Sequence, residues 1–182
     1  MAESDVKQKT KAKILHSSAA LFTAASIDGV SVEAIIADAG IVRSSFYRHF
    51  KGKSELLKAI IDPMFFAAAD KLVMLESKYG RVLFDGIADI YIWLWQEHRH
   101  ALLLSGSIGP GQFPLVMESH NRFADALMKN IERLGREGLL LTSAEKATKL
   151  AANASIPMLK ILGDDPESFR RVFAGALLKS SD

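Results

Sequence analysis

The chain has 182 residues, enough for one compact unit or for a small domain beside a larger one, and its 49% apolar and 24% charged residues exclude collagen-like, low-complexity and broadly disordered polypeptides. No cysteine is present, which removes disulfide frameworks, thiolate metal sites and cysteine nucleophiles. The net charge of +2 is unevenly spread: residues 1–53 hold 8 Lys/Arg against 5 Asp/Glu and residues 54–182 hold 15 against 16, so an anionic partner is expected for the first part alone.

The opening stretch MAESDVKQKTKAK lacks the apolar core of a signal peptide, and no later stretch approaches the roughly 18 apolar residues of a membrane helix, so a cytoplasmic protein with no membrane association is expected. Periodicity is helical nearly everywhere, which predicts an all-α fold. A first helix over Lys7–Ala25 places Ile14, Leu15, Ser18, Leu21, Phe22 and Ala25 at i, i+3, i+4 spacings, behind a basic N-terminal arm (1–13) carrying Lys7, Lys9, Lys11 and Lys13. SIDGVS reads as a loop whose Ser31 hydroxyl caps a second helix, with Val32, Ile35 and Ile36 turned inward. Gly40 stops that helix, and after a tight turn a third carries Phe46, Tyr47 and Phe50.

Two short helices at a tight turn form a helix-turn-helix, whose second member enters the DNA major groove. On the third helix Phe46 and Phe50 lie four apart and bury together, while Arg43, Ser44, Ser45, Tyr47, Arg48 and His49 face outward. Arg grips guanine O6 and N7 through two bonds, and short Ser side chains permit close approach to bases and phosphates. Taken alone, the same pattern also suits a solvated polar helix face.

The run GIVRSSFYRHFKGKSELL, with ILHSSAALF upstream, closely resembles the N-terminal domain of TetR/AcrR-type repressors. The resemblance rests on Ile14, Leu15, Leu21, Phe22, Ser31, Val32, Ile35, Gly40, Phe46, Tyr47, His49, Phe50, Lys53, Leu56 and Leu57. It implies that Tyr47, His49, Lys53 and Ser31 contact phosphates and that Arg43, Ser44 and Ser45 face bases, with Arg48 beside them. A phosphate at Lys53 would also meet a helix N-terminus, where free N–H groups favour an anion. Three positions depart from the family pattern: Ser26 stands where a helix-ending glycine is common, Ile36 where a small Ala is usual, and Val42 where Ser normally caps the third helix.

Beyond Lys53 the resemblance fades and residues 54–182 are read physically. A long helix from about Ser54 carries Leu56, Leu57, Ile60 and Ile61, with a kink expected at Pro63. Arg81–His98 is apolar on nearly every face and is expected to be central, with Asp85, Asp89 and Gln96 as its polar stripe. SGSIGPGQFP (105–114) breaks the helices around it and lacks the Lys-Ser/Thr of a phosphate loop, so it reads as a connector or pocket rim. In the next helix, about Leu115–Leu134, His120 falls on the apolar face of Val116, Phe123 and Leu127, as a satisfied core histidine or a ligand-facing one. Thr142 and Glu145 read as a capping box for a helix to about Leu162, and Asp165-Pro166 opens a last helix to about Lys179.

The expected architecture is therefore a three-helix DNA-binding domain (1–53) joined to a larger helical effector-binding and dimerisation domain (54–182). Candidate pocket residues are Asp89, Tyr91, Trp93, Trp95, Met117, His120 and Phe123. In TetR-like proteins the last two helices pair with their twins, which marks Leu150, Ala154, Met158, Leu162, Phe169, Phe173 and Leu177 as a candidate dimer interface. The resemblance implies a ligand-responsive repressor that grips a palindromic double-stranded operator as a homodimer and is released by a small apolar or aromatic effector. No cofactor or metal is called for, and no nucleophile, carboxylate pair or metal-ligand cluster suggests an enzyme. The competing expectation keeps DNA binding but gives the second domain a protein partner.

Overall fold

A computed structural model describes residues 2–180. Its nine α-helices among the described residues are α1 (Ala2–Ala25), α2 (Val32–Asp38), α3 (Arg43–His49), α4 (Lys53–Val73), α5 (Gly80–Glu97), α6 (Arg99–Ser105), α7 (Met117–Arg136), α8 (Ala144–Leu162) and α9 (Pro166–Leu177), with one 3₁₀ turn at Phe113–Leu115. A single antiparallel bridge joins Leu140 to Leu178. No described helix is long and apolar enough to cross a membrane.

Local chemistry accounts for the helix ends. The Ser31 hydroxyl accepts from Ala34 N–H at 3.0 Å to cap α2. Gly40 then turns the chain with φ +62°, a conformation that a side chain would oppose. Val42 occupies the N-cap of α3 without a side-chain bond, as its apolar side chain dictates. The Asp165 carboxylate accepts from Ser168 N–H at 3.0 Å ahead of Pro166. At α8 the expected box is displaced by one residue: Ser143, not Thr142, caps the helix, and Glu145 pairs instead with Lys149 one turn on. The chain leaves α1 through Ser26, which adopts φ +65° in place of a glycine.

α1 is longer than periodicity suggested. It begins at Ala2, so the lysine-rich residues are the first turns of a helix rather than a separate arm. α4 runs through Pro63 without interruption.

α1, α2 and α3 close around Ile14, Phe22, Ile35, Phe46 and Phe50, all buried. α4 leaves this unit and lies along α7, and α5 threads between α4, α7, α8 and α9. That placement explains why α5 is apolar on most faces: Leu83, Phe84, Ile87, Ile90, Tyr91, Leu94 and Trp95 are all buried, while Asp89 and Gln96 stay exposed. α6 returns to pack on α1, so the larger bundle touches the small one through α4 and α6.

Candidate functional site

α3 has two unlike faces. Phe46 is fully buried and stands edge-on to Tyr47 at 5.2 Å and tilted against Phe50 at 6.3 Å, anchoring the helix from behind. Arg43, Ser44, Tyr47 and Arg48 are exposed, and Ser45 and His49 are half-buried. Arg43 is not idle: it pairs with Glu33 of α2 at 3.1 Å, and its guanidinium lies over the Tyr47 ring at 5.6 Å. Both partners of that pair are solvent-exposed, so the pair is weak and yields readily to a stronger anion.

The first turns of α1 complete this surface. Val6, Lys7 and Thr10 join Ser45, Arg48 and His49 around a cleft of about 240 Å³. Burial, with smaller contributions from Lys7, Arg48 and Lys11, holds the His49 imidazole below its ordinary pKa. Lys7 and Thr10 were missed as site residues. Their signal was the i, i+3 spacing within a lysine-rich run that turns out to be helical from Ala2.

Lys53 is engaged elsewhere. Its ammonium donates to the Ile27 carbonyl at 2.9 Å and reaches the Asp28 carbonyl at 3.5 Å, so it staples the α1–α2 loop to the start of α4. The Ser31 hydroxyl likewise serves its own helix.

The second group of candidate residues divides. Tyr91, His120 and Phe123 meet in a file of aromatic rings that crosses the larger bundle. Phe113 is edge-on to His120 at 5.0 Å, His120 to Phe65 at 5.4 Å, Phe65 lies 5.5 Å from Phe123, Phe123 6.3 Å from Tyr91, and Tyr91 5.4 Å from Phe173. Burial pushes the Tyr91 phenol well above its ordinary pKa, with the Ser155 hydroxyl offsetting a part, so it is a neutral O–H donor.

The other four pocket candidates lie outside this file. Asp89 is on the surface, paired with Arg170 at 2.7 Å. Trp93 is half-buried under the Lys71 ammonium at 4.4 Å. Trp95 is buried, but between the Arg99 guanidinium at 4.2 Å and the backbone of Gly163. Met117 is exposed at the start of α7. Helical spacing alone assigns a face, and on a helix packed against several others each buried face meets a different neighbour.

The candidate dimer residues divide as well. Phe169, Phe173 and Leu177 are at most 1% exposed and fill the protomer's own core, where Phe173 contacts Phe84 and Tyr91. The apolar surface left open on α8 and α9 is formed by Leu150, Ile161 and Val172, flanked by the half-buried Ala154, Met158 and Leu162.

Residues 14–60 match the family model described as bacterial regulatory proteins, tetR family. The matched stretch, from Ile14 in α1 through the first turns of α4, is a tetR-family N-terminal domain. No curated protein matches the sequence, but solved structures of tetR regulators share the whole fold. The ketosteroid transcriptional regulator KstR2 of Mycobacterium tuberculosis aligns with TM-score 0.76 at 12% identity, over 93% of this chain and 95% of that one. A tetR-family regulatory protein from Rhodococcus RHA1 aligns with TM-score 0.75 at 15% identity, over 94% and 98%. SmeT, in a complex with triclosan, aligns with TM-score 0.65 at 19% identity, over 94% and 93%. Within the matched residues α2 and α3 form the helix-turn-helix by which tetR-family regulators bind DNA.

Proposed function

We propose that this regulator is a repressor that binds a palindromic operator as a homodimer and is released when a small apolar or aromatic molecule enters the larger bundle. The observation that carries the DNA half is α3, a polar face of Arg43, Ser44, Tyr47 and Arg48 held by the buried Phe46 and flanked by the lysines of α1. In this reading Arg43 and Ser44 meet base edges, Tyr47, Arg48 and His49 meet phosphates, and Lys7 and Thr10 extend the phosphate contacts. Ser31 and Lys53 shape the unit from within. One reader spans only a few base pairs, and two readers about 34–36 Å apart read a palindrome across one turn of DNA. The apolar strip of Leu150, Ile161 and Val172, with Met158 and Leu162, is the surface that suits pairing of α8 and α9 with their twins.

Release is assigned to the contacts between the bundles. Phe113, edge-on to His120, follows Gln112, whose amide donates to both carboxylate oxygens of Asp28 at 3.3 and 3.2 Å. Asp28 lies in the loop that Lys53 staples, three residues before the Ser31 cap. On the other side of α4, Asp62 accepts from the buried Ser119, neighbour of His120, at 2.6 Å and pairs with Lys58 at 2.8 Å. A molecule that displaces Phe113 or His120 therefore pulls on both the α1–α2 loop and α4. An effector binding the released form about 100-fold better would shift the equilibrium by roughly 2.7 kcal/mol, within the usual range for coupled sites. The assembly is tested by sedimentation with a selected duplex: two chains on one palindromic site are expected, and a single chain per site contradicts the dimer.

A further inference from the structure

Among the described residues, two buried side-chain polar atoms make no hydrogen bond of ordinary geometry: Tyr91 Oη, which has the Ser155 hydroxyl near it, and His120 Nδ1. They sit on facing helices, α5 and α7, and belong to one continuous ring file through Phe65 and Phe123. A buried polar atom without a partner costs about 1–3 kcal/mol, and a phenylalanine at position 91 would fill the same space without that cost. Two such atoms in one cluster, in a bundle where Asn130, Ser119 and Thr148 all find partners, are the signature of groups kept for a ligand.

The charges around the file narrow the ligand's chemistry. Among the described residues, the cations that lie over aromatic rings in the larger bundle lie over others, Lys71 on Trp93, Arg81 on Phe84, Arg99 on Trp95, Arg122 on Phe66 and Arg133 on Tyr79, and none over Phe65, Phe113, Phe123 or Tyr91. The carboxylate bonded to Ser119, next to His120, is Asp62, already neutralised by Lys58. A ligand carboxylate would be desolvated here, with Lys58 already engaged by Asp62 and Arg122 by Asp70. An aliphatic body would fill the same space, but the edge and face contacts of four rings favour an aromatic one.

Resting on the reading of the larger bundle as the effector domain, we infer that its interior takes a neutral aromatic molecule carrying a phenolic or carbonyl oxygen, with its rings among Phe65, Phe113 and Phe123 and its oxygen bonded to Tyr91 or His120. Phe113, between the glycine-containing connector and His120, is the ring whose displacement admits it.

The test is calorimetric titration of the full chain with three probes of one shape: 2-naphthol, naphthalene and 2-naphthoate. 2-Naphthol is expected to bind roughly tenfold more tightly than either of the others, the value of one satisfied buried hydrogen bond. Tyr91→Phe or His120→Phe brings 2-naphthol toward naphthalene, and circular dichroism verifies that each variant is folded. Should a variant unfold, the three-probe series on the unaltered protein decides alone. Equal binding of 2-naphthol and naphthalene, a preference for 2-naphthoate, or no binding of 2-naphthol overturns the inference. Sequence-specific DNA binding by the same preparation, measured without probe, tests the regulator reading separately. If it persists while 2-naphthol fails to bind, the ligand class falls and the regulator stands; if it is absent while 2-naphthol binds as expected, the reverse holds.

Discussion

Gly163 closes α8 against the indole of Trp95, and a single methyl group there is a sharp test of whether Trp95 is a packed strut or a movable pocket wall. The backbone at Gly163 is ordinary, φ −65° and ψ −21°, so alanine suits it conformationally and would by itself stabilise by about 0.4–1 kcal/mol through the unfolded chain. Space decides the opposite sign. The new Cβ would lie 2.0 Å from Trp95 Nε1 and 2.4 Å from Cε2, and the indole cannot swing away because the Arg99 guanidinium covers it at 4.2 Å. Overpacking of this kind costs about 1–3 kcal/mol. The net loss of about 1–2 kcal/mol lowers Tm by roughly 2–8 °C in a chain of this size. Gly175, exposed within α9 with open space around its Cβ position, is the internal reference. Gly175→Ala is expected to raise Tm by about 1–4 °C, since a helical glycine gives up about 0.5–1 kcal/mol relative to alanine. Thermal unfolding followed by circular dichroism reads both. A Gly163→Ala protein as stable as Gly175→Ala would show that Trp95 yields freely, and would return it to the candidates for ligand contact.

Ser26→Gly relieves the left-handed backbone at φ +65° and loses only the long 3.4 Å bond to Gly29 N–H, so a gain of about 1 kcal/mol is expected by chemical denaturation; an unchanged midpoint would contradict the strain. Arg43→Ala is expected to weaken binding to a selected operator by about 10- to 100-fold in fluorescence anisotropy, the value of a base-reading arginine less the weak Glu33 pair; unchanged affinity would remove Arg43 from the base contacts. For His49 the sign follows from its lowered pKa in the free protein: a phosphate neighbour raises it, the complex takes up a proton, and affinity rises as pH falls through the pKa of the imidazole in the complex. His49→Gln should flatten that slope between pH 5.5 and 7.5, and a wild-type affinity independent of pH would remove His49 from the phosphate contacts.

The helix-turn-helix was legible because its signals are local: a serine cap, a glycine at the turn, and two phenylalanines one turn apart each act within a few residues. Its extent was not, because the lysine run before Ile14 has no apolar stripe, and only contact with Ser45, Arg48 and His49 reveals that it is a helical wall. Lys53 shows the same limit from the other direction. A lysine at a helix start reads as a phosphate ligand, whereas carbonyl groups at Ile27 and Asp28, twenty-five residues upstream, claim its ammonium. In the larger bundle, apolar spacing identified buried residues without saying which neighbour buries them. Phe169, Phe173 and Leu177 were read as facing a twin and instead fill the protomer's own core, while Leu150, Ile161 and Val172 are the apolar residues of α8 and α9 left exposed. Of the pocket candidates, the three that meet in one ring file are those whose positions on α5 and α7 point at each other, a fact of helix pairing that no single helix encodes.

The central claim is that α3 reads sequence in pairs, and it is tested most directly by selecting bound duplexes from a random pool with the purified protein and titrating salt on the winner. The account predicts an enriched palindrome with half-sites about one helical turn apart and a steep fall of affinity with salt, as cations such as Lys7 and Arg48 release counterions from phosphates. Weak, sequence-blind binding with no enriched motif, or an enriched site without two-fold symmetry, would contradict it.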